Sequence, residues 1–69
     1  MMVYPNLMKA MDECGVSITD LAELTGESVG AVSLKTQGIV EWTLTEALLL
    51  CNRFNYTDIK KLFLRLDYN

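Results

Sequence analysis

The chain has 69 residues, 51% of them hydrophobic and 22% charged, so one small folded domain is expected, without room for a second, and the composition argues against disorder. Six bases against nine acids leave a net charge of −3, and histidine is absent, so the commonest general base and metal ligand is missing and the charge background repels phosphate. The longest apolar run, 47–51, is far short of the roughly 20 residues of a membrane span, and no signal segment is visible; a cytoplasmic location is expected.

Helix signals recur along the chain with short gaps. Pro5 suits a first helical turn, where its missing N–H has no intrahelical partner to lose. Leu7, Ala10, Met11 and Cys14 follow at helical spacing, and Gly15 is placed to stop the helix. Ser17 and Asp20 form a variant capping box, with Val16 and Leu21 spaced as a hydrophobic staple across it. Leu21, Ala22 and Leu24 continue inward until Gly26. Ser28 caps a third helix ending near Gly38, whose residues Val29, Gly30, Val32 and Ser33 are weak helix formers, so tertiary contacts must hold it. Val32 is its expected inward anchor. Thr43 and Glu46 make a full capping box before the strongest helix, with Ala47, Leu48, Cys51 and Phe54 expected inward. Thr57 and Asp58 open a last short helix with Ile59, Leu62 and Phe63, and a tail over 64–69 alternates like a short extended segment. Trp42 is expected over the core between the third and fourth helices. Cys14 and Cys51 match no zinc spacing and read as buried thiols.

The second and third helices carry a pattern with a steric reason. Two helices crossing steeply need a small residue at the contact, a tight glycine turn and a branched anchor on the second helix; Ala22, Gly26 and Val32 supply these. The pattern Ser17-x4-Ala22-x3-Gly26-x-Ser28-x3-Val32-Ser33-x4-Gly38, followed by Trp42-Thr43-Leu44-Thr45-Glu46-Ala47, resembles the helix-turn-helix of lambda-repressor-like (Xre-type) domains, in particular short phage-repressor-type members. The resemblance spans about residues 6–63. It implies a compact five-helix all-α domain over 1–69, with the helix-turn-helix proper at about 17–38.

The resemblance also implies a sequence-specific transcriptional regulator that binds double-stranded DNA as a homodimer, with the helix at about 28–37 in the major groove. The residues it places at the duplex are Ser28, Val29, Gly30, Ser33, Leu34, Lys35 and Thr36. Val29 or Leu34 would meet a thymine methyl, Ser33 a base edge and Lys35 a phosphate or guanine, while Ser28 and the N–H groups behind it would seat a phosphate. Lys60 and Lys61 are expected to be plain solvated charges. The segments 39–42 and 63–68 are the surfaces expected to meet a partner protomer.

Acidity favours a second reading, in which the same domain binds a protein as an antirepressor or adaptor through an apolar patch of Val29, Leu34, Ile39 and Val40. Residues 1–27 hold one base and five acids, whereas 28–69 hold five bases and four acids, so any anion-facing surface belongs to the later part. An enzyme is not expected: the sequence offers no metal cluster, no paired acids in an apolar setting and no phosphate loop. No metal, cofactor or small-molecule ligand is expected either.

Overall fold

Four of the five helices begin where a side-chain oxygen is available to begin them, and the first begins on a proline. In the computed structural model, which describes residues 3–66, these are α1 (Pro5–Cys14), α2 (Ile18–Thr25), α3 (Val29–Thr36), α4 (Leu44–Phe54) and α5 (Ile59–Leu62). Ser17 and Thr43 form reciprocal capping boxes with Asp20 and Glu46, Ser28 Oγ accepts the Ala31 N–H, and Asp58 accepts from Lys60 and Lys61. The backbone and side-chain hydrogen bonds from Ser17 hold the Asp20 carboxyl below its ordinary range. Gly15 and Gly26 end α1 and α2 in the left-handed region, where an L side chain would be strained. All described secondary structure is helical, and none of these helices is long and apolar enough to cross a membrane.

Every helix sends one side chain completely out of water. Leu7 of α1, Leu21 of α2, Val32 of α3, Leu50 of α4 and Leu62 of α5 are all 0% exposed and belong to one cluster. Each such burial is worth about 1.5–3 kcal/mol, enough to outweigh the weak helical propensity of α3. Val16 and Leu21 are both buried on either side of the Ser17 cap, as a staple requires. Ala22 is buried in the same cluster as Val32. Ala22→Leu is therefore expected to overpack this contact and cost about 1–3 kcal/mol, read as a lower midpoint in urea; an unchanged midpoint would remove the close α2–α3 approach.

An aromatic seam closes one end of the bundle. Phe63 packs edge-on against Tyr4 and against Trp42, with ring centroids 6.0 and 5.9 Å apart. The Leu66 N–H donates to the Val3 carbonyl, so the tail lies back along the segment that precedes α1. Arg65 runs over Tyr4 and donates to Tyr4 Oη, Glu41 and the Gly38 carbonyl.

Two expectations about burial need correction. Cys14 is exposed and only Cys51 is buried, because Cys14 falls at the end of α1 beyond the last covered turn. Burial, and then the charge of Asp58, push the Cys51 thiol up, so it stays protonated at neutral pH. On α4 Ala47, Leu50, Cys51 and Phe54 face inward, while Leu48 is 55% exposed: a residue one position after Ala47 lies about 100° around the helix. The expected partner-facing segment 63–68 is only partly observed, since 67–69 lie outside the described residues.

Candidate functional site on the third helix

The backbone of α3 packs against α2 and lies against no other described helix. Its outer side is therefore left open. Ser28, Val29, Gly30 and Leu34 are exposed, Val29 at 47% and Leu34 at 41%. Ser33 and Thr36 are half-buried. Ser33 Oγ accepts from the Gln37 side chain at 3.0 Å, and Thr36 Oγ1 donates to the Ser33 carbonyl at 2.8 Å. Ser33 and Thr36 thus both bond within their own helix, whereas Ser28, Val29, Gly30 and Leu34 are exposed on the outer side.

Lys35 is the exception and corrects the groove-facing assignment. It is 6% exposed and turned into the molecule. Its Nζ donates to both carboxylate oxygens of Glu27 at 2.8 Å and to both of Glu46 at 2.7 and 2.6 Å. The ammonium also lies 5.8 Å from the centre of the Trp42 ring, within cation–π range. Glu46 is held twice, because Oε1 accepts the Thr43 N–H in the α4 capping box. One lysine thus ties the α2–α3 turn, α3 and the start of α4 together by side chains where the α3 and α4 backbones do not meet. It is a positioning residue, and its ammonium is withdrawn from the outer side of α3.

A signal for this was present in the spacing. Lys35 stands three residues after Val32, so it shares the inward face of α3. A capping-box glutamate eleven residues on offered the counter-charge, although the pairing needs the turn at 37–42 to bring it back.

With Lys35 withdrawn, residues 28–40 present no ionisable side chain at all. The first turn of α3 also lacks an acid, unlike those of α2 and α4, which carry Asp20 and Glu46. First-turn N–H groups have no intrahelical acceptor and carry the positive end of the helix dipole. Glu27, immediately before the cap, would oppose that field if free, but both its oxygens are engaged by Lys35. The outcome is a neutral, partly apolar helix face with a weakly positive leading end. Among the described residues no group of three or more potential metal ligands comes together.

Two more surfaces flank this face. Ile39 and Val40 follow α3 with exposures of 67% and 40%, and both N–H groups donate to the Leu34 carbonyl, so Leu34, Ile39 and Val40 adjoin. Trp42 is half-buried over the core, and its indole Nε1 is buried with no acceptor among the described residues, a cost of about 1–3 kcal/mol. Comparisons with family models, with curated proteins and with solved structures find no match in any of the three.

Proposed function

We propose that the chain is a helix-turn-helix regulator of the lambda-repressor-like kind that binds double-stranded DNA as a homodimer through α3. The observation that carries this reading is the bare outer side of α3. A helix that approaches only its preceding partner, ends its cap in solvent and bears no acid in its first turn is shaped to enter a major groove. Ser28 and the N–H groups of Val29 and Gly30 would meet a phosphate; Ser33 would meet a base edge; Val29 and Leu34 would meet thymine methyl groups. Lys35 acts indirectly, by fixing the roll of α3 and by neutralising Glu27.

The protomer measures 32 × 25 × 22 Å. Two such protomers side by side fit half-site centres about 34 Å apart, one duplex turn. With the single base of α3, Lys35, buried, few phosphates are neutralised, and the salt dependence of binding is expected to be shallow, with a slope of about −2 or smaller in magnitude per protomer. Specificity then comes from uncharged contacts, and affinity from doubling them.

Fluorescence anisotropy on duplexes selected from a random pool tests this. Binding is expected at about 20 mM salt, and Gly30→Asp is expected to weaken it at least about tenfold. That aspartate would sit in the first turn of α3, in open space, where an acid favours the helix; the variant should melt no lower than the parent. No binding by the parent at that salt concentration would overturn the DNA reading.

One observation favours the protein-binding reading. Val29, Leu34, Ile39 and Val40 are all at least 40% exposed with no charge among them. Under that reading the same face is covered by a partner protein, and the parent chain ignores duplexes at every salt concentration.

A further inference from the structure

The segment after α5 is attached by little apolar surface. Leu64 and Leu66 are 49% and 60% exposed, so water exclusion does little to hold them. What holds this tail is polar. The Leu66 N–H donates to the Val3 carbonyl at 3.1 Å, and the Arg65 side chain is only 9% exposed. An arginine presents its donors in a rigid fork, and this fork reaches two other segments. Nη1 donates to Tyr4 Oη at 3.2 Å and to Glu41 Oε1 at 3.1 Å, and Nη2 donates to the Gly38 carbonyl at 3.3 Å. Tyr4 precedes α1, while Gly38 and Glu41 belong to the turn between α3 and α4.

That turn is held from its other side by α3. The Gly38 N–H donates to the Lys35 carbonyl, and the Lys35 ammonium lies over Trp42. Trp42 meets Phe63 edge-on, Phe63 meets Tyr4 in the same way, and Arg65 lies 5.2 Å from the Tyr4 ring centre. These contacts close a ring that leaves α3, passes through the turn and the tail, and returns to α3. Ile39 and Val40, which extend the exposed face of the helix, stand on this turn.

We propose that the tail is a strap and that Arg65 is a positioning residue for the outer face of α3. Seated, the guanidinium fixes the turn at 37–42, and with it Ile39, Val40 and the end of the helix. Released, it frees them while the core stays packed, because its hydrogen bonds involve none of the fully buried core side chains. Attachments of this kind open locally, at a small fraction of the cost of unfolding the domain. The proposal rests on the DNA reading above for what the face binds; the strap itself makes no use of it.

Amide hydrogen exchange of the full chain without DNA, read by NMR, tests the strap. Arg65→Gln is expected to speed exchange of the Ile39 amide at least about tenfold and to leave that of Leu21 in α2 within about twofold of the parent. Its helical circular dichroism should match the parent. Glu41→Ala, which removes one acceptor on a side chain 75% exposed, should speed Ile39 in the same sense, by about threefold. Fluorescence anisotropy tests the positioning role. Arg65→Gln should weaken binding of a selected duplex at least about fivefold. Lys60→Gln, which removes an exposed base of the neighbouring α5, should change it by less than about twofold. An Ile39 rate unchanged in both variants overturns the strap. Equal speeding of Ile39 and Leu21 overturns it too, since Arg65 would then only add to global stability. A freed turn with unchanged duplex binding, or an equal loss from Lys60→Gln, overturns the positioning role. A parent that ignores duplexes overturns the DNA reading alone, and the exchange rates still decide the strap.

Discussion

Lys35→Ala is expected to destabilise the domain by about 3–5 kcal/mol, because it strands the carboxylates of Glu27 and Glu46 without their counter-charge. Glu46 is 8% exposed and Glu27 has 24% of its side chain exposed, so the larger share falls on Glu46. A domain of this size holds about 3–10 kcal/mol in all. The melting temperature should therefore fall by more than about 12 °C, and circular dichroism should show much of the variant unfolded at physiological temperature. The loss comes from charge and only secondarily from packing. Combining Lys35→Met with Glu27→Gln and Glu46→Gln should recover at least half of it, since a neutral set needs no counter-charge and glutamine still serves the capping box. A Lys35→Ala variant melting within about 3 °C of the parent would show that the ammonium does not hold these two acids.

Gly38→Ala is expected to cost about 2–3 kcal/mol, from left-handed strain of about 1–2 kcal/mol together with a displaced contact. Gly38 has φ +77°, and a Cβ there would stand 2.6 Å from Arg65 Nη2 and 2.8 Å from Val3 Cγ1. The end of an arginine usually yields easily. This one is held by Tyr4, Glu41 and the Gly38 carbonyl itself, so moving it loosens the tail and the turn after α3 together. Gly26→Ala supplies the comparison: φ is +74° there but an added Cβ meets nothing within 4 Å, leaving the conformational cost alone. Urea denaturation of the two variants should place Gly38→Ala clearly below Gly26→Ala. Equal midpoints would mean that Arg65 does not clamp this turn.

Most of the helical framework was legible because its signals are local. Ser17 with Asp20, Thr43 with Glu46, Pro5 at a first turn, and Gly15 and Gly26 at helix ends each act within four residues, and the structure shows all of them. Val32 as the anchor of α3 was legible for the same reason. The misplacement of Leu48 arose because five of six residues over 46–51 are apolar, and such a run does not say which of its members faces inward. Lys35 and Arg65 were illegible for a deeper reason. Each takes its meaning from residues 8 to 61 positions away, which only the folded chain brings within hydrogen-bond reach. A lysine on a helix reads by default as solvated; here three elements converge on it and reverse the default. Of the residues expected on the outer face of α3, Ser28, Val29, Gly30 and Leu34 are exposed, Ser33 and Thr36 are half-buried and Lys35 turns inward.

The division of α3 into two sets of residues has a consequence of its own. Val32 and Lys35 secure the helix, and both are buried; Val29, Gly30 and Leu34 face outward and secure nothing. Among these five residues, attachment and display share no position. Selection or design can therefore change Val29, Gly30 and Leu34, and with them what the helix shows to solvent, without renegotiating how the rod is mounted.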